Sequence, residues 1–414
     1  MTELETAGIK RMFNTSETSA TPYLHFYPMD ADIRDYARPR LPLLAPPSWR
    51  EWGRREPSPI AMSAFLDRGE SYKGGRYALA EGMRRAGAAT GRSVLLPSFH
   101  CRAIVEAVIF TGAEPRFYPL TSDLRPDFSA LSSLVADVGP AAMVLVHYFG
   151  FPNAVDETQV FCRKHGIALI EDCAHALYGR VGGRLLGTIG DFAAASLWKF
   201  LPVRDGAVLL DHRGSHPAQH RRSPSMEMEA RGMRYLLERW IKWGSRPEAL
   251  PALEPAALAA AVGKRKMEHS VTKPAGAFVE FSPAAANLAA LRSSRWLAAH
   301  VDHNRVIDER RANYSAWLNG MHGLSGAHPL NQELPPDVVP YAFPLLLDDP
   351  YCFHLIRQAG IPLWRWEDMA VTACEVAADY RLRLLQLPCH QGIGAEALQW
   401  MISTVRSVIG WRDR

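Results

Sequence analysis

The chain reads AAMVLVHYFGFPNAVDETQVFCRKHGIALIED from residue 141 to residue 172, and this stretch carries the clearest signal of the architecture. It opens with an apolar run at 141–149, continues with a helical pattern at 156–165 and closes with a second apolar run at 167–172. Two buried strands joined through a helix form a right-handed crossover between parallel neighbours. The stretch therefore predicts a largely parallel α/β sheet.

The same alternation continues on both sides of this stretch. Apolar runs that predict strands take turns with segments that predict helices. The predicted strands lie at 93–97 and 115–120, and the predicted helices lie at 77–90, 101–111 and 127–136. Two further apolar runs, 193–198 and 206–211, have no convincing helix between them, which indicates a mixed sheet.

The C-terminal part of the chain predicts a second, smaller unit. Apolar residues at helical spacing predict one long helix at 284–317, and an apolar run predicts a strand at 341–348. We expect an N-terminal arm with a Pro-rich segment at 1–60, a large α/β domain at 61–280 with an inserted loop and helix at about 212–280, and a small α+β domain at 281–414.

The composition excludes several classes of protein. Of the 414 residues, 48% are hydrophobic and 22% are charged, which suits a packed core and argues against wholesale disorder. The charge sum, 47 − 43 = +4, predicts no nucleic-acid partner, so the basic run at 212–223 is read as a solvated loop rather than an anion-binding segment. Six scattered cysteines without a C-x-x-C pair predict reduced thiols and no metal site. The chain has neither a signal-peptide pattern nor a membrane-spanning apolar run, so we expect a cytoplasmic protein.

The common catalytic signatures are absent from this sequence. It contains no phosphate-binding P-loop, no dinucleotide-binding glycine motif, no H-E-x-x-H and no G-x-S-x-G. The glycine-containing segment GGRLLG at 182–187 follows no predicted strand and opens no predicted helix, so it predicts a turn. Any chemistry must therefore come from residues that lie far apart in the sequence.

One such constellation is present. Asp172 ends a predicted strand, and Lys199 follows the next apolar run, so both are expected beyond the carboxyl ends of sheet strands, where ligands bind in α/β folds. A lysine can form a Schiff base, and an aspartate can keep a pyridine nitrogen protonated. A helix that begins after Gly74-Gly75-Arg76 would suit a phosphate. Together these features describe a pyridoxal phosphate site, although Lys199 could also be a surface lysine and Asp172 a loop cap.

Several runs of the sequence resemble one known family. They are LLPSFHCRAIVEAVIFTGAEPRFYPL at 95–120, KHGIALIEDCAHALYG at 164–179, GTIGDFAAASLWK at 187–199, ERRANYSAWL at 309–318 and LPCHQGIGAEAL at 387–398. The chain resembles the DegT/StrS-type aminotransferases, which are fold-type-I pyridoxal phosphate enzymes that mostly aminate keto-sugar nucleotides. The resemblance implies a large, mixed, mostly parallel sheet domain with a smaller C-terminal α+β domain, and a homodimer.

The resemblance also implies roles for particular residues. Lys199 would form the internal aldimine with pyridoxal 5'-phosphate and then move protons. Asp172 would pair with the pyridine nitrogen, and His175 would approach the oxygen side of the ring. The remaining cofactor-binding residues implied are Gly75, Arg76, Tyr77 and Ser196 at the phosphate and His100 against the ring face. The chain departs from the family at Gly74-Gly75-Arg76, where members usually have Ser-Gly-Thr, and in the shorter spacing of three between Ser196 and Lys199.

The function that the resemblance implies is transamination. An amino acid, glutamate or glutamine, would donate the amino group, and a keto-sugar or similar carbonyl compound of a biosynthetic pathway would accept it. Two alternatives stay open. The same fold and cofactor could catalyse elimination, decarboxylation or carbon–carbon bond formation on a non-sugar substrate, or the chain could be a non-catalytic, cofactor-binding regulatory relative.

Overall fold

The computed structural model describes residues 24–29, 35–48, 58–214, 220–244, 250–263 and 278–412. Most of the predicted N-terminal arm and residues 215–219 of the basic run lie outside the described residues. The division into three domains stays a prediction, because the described segments pack against one another across the expected boundaries. For example, the backbone of Phe26 pairs with Ala370, and the Tyr36 hydroxyl lies 2.6 Å from Nδ1 of His354.

The centre of the molecule is a seven-stranded mixed sheet in the order β1-β9-β8-β5-β4-β2-β3. The strands of this sheet are β1 (Glu70–Tyr72), β2 (Ser93–Pro97), β3 (Glu114–Tyr118), β4 (Ala142–Val146), β5 (Ala168–Cys173), β8 (Phe192–Ser196) and β9 (Ala207–Asp211). Two short strands between β5 and β8, β6 (Arg180–Val181) and β7 (Arg184–Leu185), pair only with each other. Strands β3, β2, β4, β5 and β8 are parallel, whereas β8–β9 and β9–β1 pair antiparallel. A parallel return from β8 to β9 would need a crossover of about a dozen residues, and the connection at 197–206 is too short for that.

The central strands are buried on both faces, because helices and the C-terminal part of the chain cover them. Every residue of β2, β4 and β8 is buried, which is why these strands read as continuous apolar runs rather than as alternating patterns. The helices that alternate with the strands are α1 (Gly75–Arg85), α2 (Arg102–Phe110), α3 (Phe128–Val138) and α4 (Val155–His165). The alternation predicted from the sequence is confirmed.

The predicted turn at 182–187 forms a small hairpin. Strands β6 and β7 pair antiparallel and are joined by Gly182 and Gly183, whose φ angles are 55° and 76°. Two consecutive positive φ values define a tight hairpin turn that glycine adopts without steric cost.

A second sheet lies in the C-terminal part of the chain. It is antiparallel, in the order β10 (Ala327–Pro329), β11 (Ala342–Leu347) and β12 (Leu384–Pro388). The remaining helices are α5 (Met226–Trp243), α6 (Pro255–Gly263), α7 (Arg292–His300), α8 (His303–Met321), α9 (Tyr351–Gln358), α10 (Glu375–Arg383) and α11 (Ala395–Arg412). Of the helices in the described segments, none is long and apolar enough to cross a bilayer.

The single long helix predicted at 284–317 is wrong. The structure has two helices there, α7 and α8, because Val301 adopts an extended conformation with ψ of 142°. The Asp302 side chain then accepts a hydrogen bond from the backbone N–H of Arg305 and begins the second helix. An aspartate at this position stabilises a helix start, so it interrupts a pattern whose apolar spacing alone is continuous.

Candidate active site

A cavity of about 960 Å³ opens at the carboxyl ends of β4, β5 and β8. Parallel strands end at the same edge of a sheet, so residues that follow them meet there. In the register of the sheet, Asp172 of β5 lies beside Ala194 of β8, two residues before Ser196. All the site residues predicted from the sequence line this cavity: Gly75, Arg76, Tyr77, His100, Asp172, His175, Ser196 and Lys199.

Lys199 lies in a short 3-10 turn (Leu197–Lys199) directly after β8. Its side chain is half-buried in the cavity, and Nζ lies 5.6 Å from the centre of the Tyr341 ring. Burial lowers the pKa of Lys199, and the nearby Cys101 and Asp172 groups partly oppose this shift. A lysine with a lowered pKa has a larger unprotonated fraction at neutral pH, which is the form that attacks a carbonyl.

Asp172 is the buried carboxylate of the cavity. It is 7% exposed and accepts a hydrogen bond of 2.9 Å from the backbone N–H of Ala174. Burial raises the pKa of Asp172, while the Ala174 N–H and the positive charge of Lys199 act in the opposite direction. A buried carboxylate facing a cavity is suited to a ligand that brings a proton or a positive charge.

His175 has an unused polar atom. Its ring stacks on Tyr341 at 4.3 Å between centroids and lies 5.4 Å from the Trp366 ring. Nδ1 is buried and has no hydrogen-bond partner among the described residues. Burial, and to a lesser degree Lys199, lower the pKa of His175 well below its usual value, so the ring is neutral at neutral pH. A buried ring nitrogen without a partner is rare in folded proteins and marks a place for a ligand atom.

The start of α1 forms a second part of the cavity wall. A β-carbon added at Gly75 would collide with the Ser196 hydroxyl, so glycine is needed for this close approach of helix and strand. The first N–H groups of a helix have no partner within it and suit an anion. Lys73 also lines the cavity, and Arg76 pairs with Glu280 at 2.9 Å. The N–H of Tyr77, in contrast, donates to Gly74 O at 3.0 Å within the turn.

His100 is held by hydrogen bonds to the backbone around it. Its Nε2 accepts from the N–H of Ala370 at 3.1 Å, which leaves Nδ1 as the donor to the carbonyls of Pro97 and Ser98, each at 3.0 Å. Burial lowers the pKa of His100 to about 4. The role of His100 at a ring face stays a prediction, and the adjacent Cys101, which also lines the cavity, was not predicted.

A buried polar layer lies behind Asp172. The carboxylate of Glu171 accepts backbone hydrogens from Gly187, Ile189 and Gly190 at 2.7–2.9 Å and a hydrogen from Nε2 of His147 at 3.1 Å. The ligand atoms of His147, Glu171 and Cys173 lie within 4.8 Å of one another. Because both oxygens of Glu171 already accept hydrogen bonds, we interpret this cluster as a support for the loop that precedes β8.

We expect Glu171→Gln to destabilise the fold. Although burial alone would raise the pKa of Glu171, its hydrogen bonds with His147 and the loop lower it overall. A lowered folded-state pKa contributes stability that is fully present above the ordinary carboxyl range and is lost as the pH falls through the lowered value. We therefore expect the unfolding free energy of the Glu171→Gln variant to be lower than that of the wild type by about 3 kcal/mol at neutral pH, and by less in acid.

Urea denaturation at neutral pH and at about pH 3, below the ordinary carboxyl range, measures this effect. Glu114→Gln is the matched control, since that carboxylate is 47% exposed and pairs with Arg116 at the surface. Equal unfolding free energies for the Glu171 variant and the wild type would contradict the supporting role of this cluster.

Two further residues, Lys73 in the cavity wall and Tyr341 in a small second pocket that Lys199 also lines, had no signal, or a weak one, in the sequence. Tyr341 lies under Lys199 and His175 but comes from the start of the second sheet, far along the chain. Lys73 directly precedes the glycines of the α1 start, so a cation beside a predicted anion site was a signal that could have been used.

Comparison with known proteins shows which family part of the chain resembles. Residues 71–206 match the sequence model of the DegT/DnrJ/EryC1/StrS aminotransferase family. A UDP-N-acetyl-3-dehydro-alpha-D-glucosamine 3-aminotransferase of Acidithiobacillus ferrooxidans is 29% identical over 148 residues, 35% of this chain and 40% of that protein. A dTDP-4-dehydro-2,3,6-trideoxy-D-glucose 4-aminotransferase of Saccharopolyspora spinosa is 36% identical over 140 residues, 31% of this chain and 36% of that protein. The chain thus spans about two fifths or less of the length of these curated relatives.

Solved structures resemble the chain over most of its length. The aminotransferase TlmJ from Streptoalloteichus hindustanus superimposes with a TM-score of 0.62 at 19% identity, covering 90% of this chain and 100% of that one. Helicobacter pylori PseC, an aminotransferase involved in pseudoaminic acid biosynthesis, gives 0.60 at 16% identity, covering 82% and 86%. These likenesses confirm the predicted fold of the fold-type-I transferases. Residues 71–206 therefore match the DegT/DnrJ/EryC1/StrS aminotransferase family model, as the sequence resemblance implied.

Proposed function

We propose that this protein is a pyridoxal phosphate-dependent aminotransferase. An amino acid, glutamate or glutamine, donates the amino group, and a keto-sugar or similar carbonyl compound accepts it. The observation that carries the proposal is the arrangement of one cavity, in which Lys199 and Asp172 lie at the ends of neighbouring strands beside an uncapped helix start. The sugar aminotransferases matched by residues 71–206 support the substrate class.

The residues of the cavity fit this cofactor. The close approach of Gly75 and Ser196 leaves backbone N–H groups and a hydroxyl for a phosphate, with Lys73 nearby as a counter-charge. The buried carboxylate of Asp172 suits a protonated ring nitrogen. Nδ1 of His175 has no partner among the described residues, and an oxygen on the cofactor ring could hydrogen-bond to it. Each polar feature of the cofactor thus has a complementary group in the described part of the chain.

The mechanism follows from what these side chains do. When bound, pyridoxal phosphate supplies an electron-withdrawing ring that stabilises negative charge on the substrate carbon. Asp172 would hold the proton at the ring nitrogen, and Lys199 would supply the amine that holds the aldehyde carbon and would carry a proton to and from the substrate carbon. The lowered pKa of Lys199 favours proton transfer, because a general base works best when its pKa lies near the working pH.

Part of the cavity wall is aromatic, and it lies beside charged side chains such as Arg204, Arg231 and Arg239. Trp198 and Trp364 lie 6.5 Å apart, and Trp366 packs against His175. Aromatic faces pack on the apolar faces of sugar rings and exclude water from the reacting atoms. This supports a sugar-like acceptor.

We also propose a homodimer, as the family resemblance implies. Sedimentation at several protein concentrations would test it.

The proposal is tested by the absorbance spectrum of the purified protein. We expect a visible band that disappears with borohydride, and peptide mapping should then find the reduced cofactor on Lys199. Donors are next screened for loss of the band, and products are quantified, because only transamination forms keto acid in step with the aminated product. A protein that stays colourless with added cofactor, or a label on another lysine, would overturn the proposal.

We expect Gly75→Ala to weaken cofactor binding. The new methyl group occupies the space of the Ser196 hydroxyl, so helix and strand must separate where the phosphate binds. A loss of about tenfold in affinity, or roughly 1.4 kcal/mol, is a conservative expectation. Titration of cofactor-free protein measures it. Gly263→Ala serves as the control, because a β-carbon there meets no neighbouring atom within 4 Å; equal affinities of the two variants would count against the phosphate site.

A further inference from the structure

Two motifs of the family resemblance, ERRANYSAWL and LPCHQGIGAEAL, have no role in the chemistry described so far. The first places Arg310 on α8, and the second places Gln391 just after β12. Both side chains are buried, Arg310 completely and Gln391 to 3% exposure. Neither lines the main cavity, so neither is a catalytic residue.

Arg310 and Gln391 meet at the turn that carries Lys199. Nη2 of Arg310 donates to the carbonyl oxygens of Lys199 and Phe200, each at 3.2 Å. Nε of Arg310 donates to Oε1 of Gln391 at 3.1 Å, and Nε2 of Gln391 donates to the carbonyl of Phe200 at 2.9 Å. The guanidinium also lies 4.6 Å from the centre of the Phe200 ring.

The same guanidinium holds the opposite wall of the site. Its Nη1 donates to the carbonyls of Pro340 and Tyr341 at 3.3 and 3.1 Å. Tyr341 is the ring under Lys199 and against His175. One planar, rigid group therefore fixes the distance between the backbone of Lys199 and the aromatic floor beneath its amine.

The Lys199 turn needs such an external support. Carbonyl groups at the end of a short helical turn have no partner within it, and a 3-10 turn of three residues makes few bonds of its own. The spacing between Ser196 and Lys199 is only three residues, so the strand and the amine are joined by little chain that could adjust. The position of the amine then depends on what binds the carbonyls of residues 199 and 200.

We propose that Arg310 and Gln391 are positioning residues that set the depth of the Lys199 amine in the cavity. The inference rests on the proposed function of Lys199. It assigns the two C-terminal motifs a shared role, because both connect the second sheet to the cofactor-binding lysine. When either donor is lost, the turn relaxes towards the cavity mouth, and the amine becomes more hydrated.

The test uses Arg310→Lys and Gln391→Leu. Lysine keeps the charge of Arg310 but cannot contact four carbonyls and an amide at once, and leucine removes the Gln391 contacts at similar volume. The matched control is Arg357→Lys, a 6% exposed arginine that donates to the carbonyl of Leu363, outside the Lys199 turn. All four proteins are compared by thermal unfolding, by the pH midpoint of the cofactor's visible band, and by labelling of Lys199.

The labelling is done in the cofactor-free protein. Trinitrobenzenesulfonate reacts with unprotonated amines, and peptide mapping gives the rate at Lys199 as a function of pH. Hydration of the amine relieves the desolvation that lowers its pKa, so we expect the midpoint of the rate profile to rise by about 0.5 units or more in both variants, a roughly threefold loss of unprotonated amine. The control should lose thermal stability and keep the wild-type midpoint.

Two outcomes overturn the inference. One is an unchanged midpoint in Gln391→Leu, whether or not that variant is less stable, and the other is an equal midpoint shift in Arg357→Lys. Failure of the proposed function looks different: the wild type would form no band, or the cofactor would be trapped on another residue. The labelling profile of the cofactor-free protein would still decide whether the turn is positioned by Arg310 and Gln391.

Discussion

We expect Lys199→Ala to abolish amino transfer while the fold stays intact. The amine is the only group in our proposal that both binds the cofactor's aldehyde carbon and moves a proton at the substrate carbon, so its loss removes two functions at once. The expected loss of turnover is at least about a thousandfold. The fold should persist, because the Lys199 turn is held through its backbone carbonyls rather than through the amine.

The measurement is the rate of keto-acid formation from the donor, together with thermal unfolding and the borohydride-sensitive band. Lys199→Arg is the matched control, since it keeps a positive charge in the cavity but cannot bind an aldehyde in the same way. Both variants should lose the reducible band. A variant with alanine at position 199 and near-normal turnover would disprove the assignment of the lysine, whatever happened to the spectrum.

The second large effect is expected for Asp172→Asn. Asparagine has nearly the same shape but no negative charge, so a protonated ring nitrogen loses its counter-charge and the ring withdraws electrons less strongly. We expect kcat/KM to fall about a hundredfold or more, which corresponds to roughly 2.7 kcal/mol of transition-state stabilisation. Cofactor affinity should fall less, because the phosphate contacts that we propose at Gly75 and Ser196 do not depend on this charge.

The pH dependence of the wild type checks the same carboxylate. Burial raises the pKa of Asp172 in the cofactor-free cavity, so its ionised form is lost at a higher pH than for an ordinary carboxyl group. Cofactor affinity should therefore decline as the pH falls towards that raised value, and Asp172→Asn should remove this acid limb. Asp156→Asn, at an exposed carboxylate that pairs with Arg184, is the control. An unchanged acid limb in the Asp172 variant would contradict the ring-nitrogen role.

The sequence was most informative where structure is local. The apolar runs and helical segments between residues 75 and 211 predicted the strands, the helices and the mixed character of the sheet, because burial in a central sheet imposes a pattern on each strand separately. Prediction was poorer at 284–317, where one capping aspartate, Asp302, divides a continuous apolar pattern into two helices. A single polar side chain outweighed the periodicity there.

Several features of the site could be recognised only in the folded structure. The resemblance implied that Arg76 binds phosphate and that His100 lies at the ring face; these assignments stay predictions, since Arg76 pairs with Glu280 and both ring nitrogens of His100 bind backbone groups. Cys101, one residue on, also lines the cavity. These contacts are decided by packing, which no local pattern records.

The amino-acid pattern alone predicted the central strands and placed Asp172 and Lys199 at the same edge of the sheet, because parallel strands end at that edge. The surroundings of Lys199, in contrast, became visible only in the folded chain. Tyr341 comes from the second sheet, and Arg310 and Gln391 come from more than a hundred residues along the chain. Their contacts depend on how the C-terminal part packs against the central sheet. Packing between residues far apart in the chain produces no periodic pattern in the sequence, so it could not be predicted from the sequence.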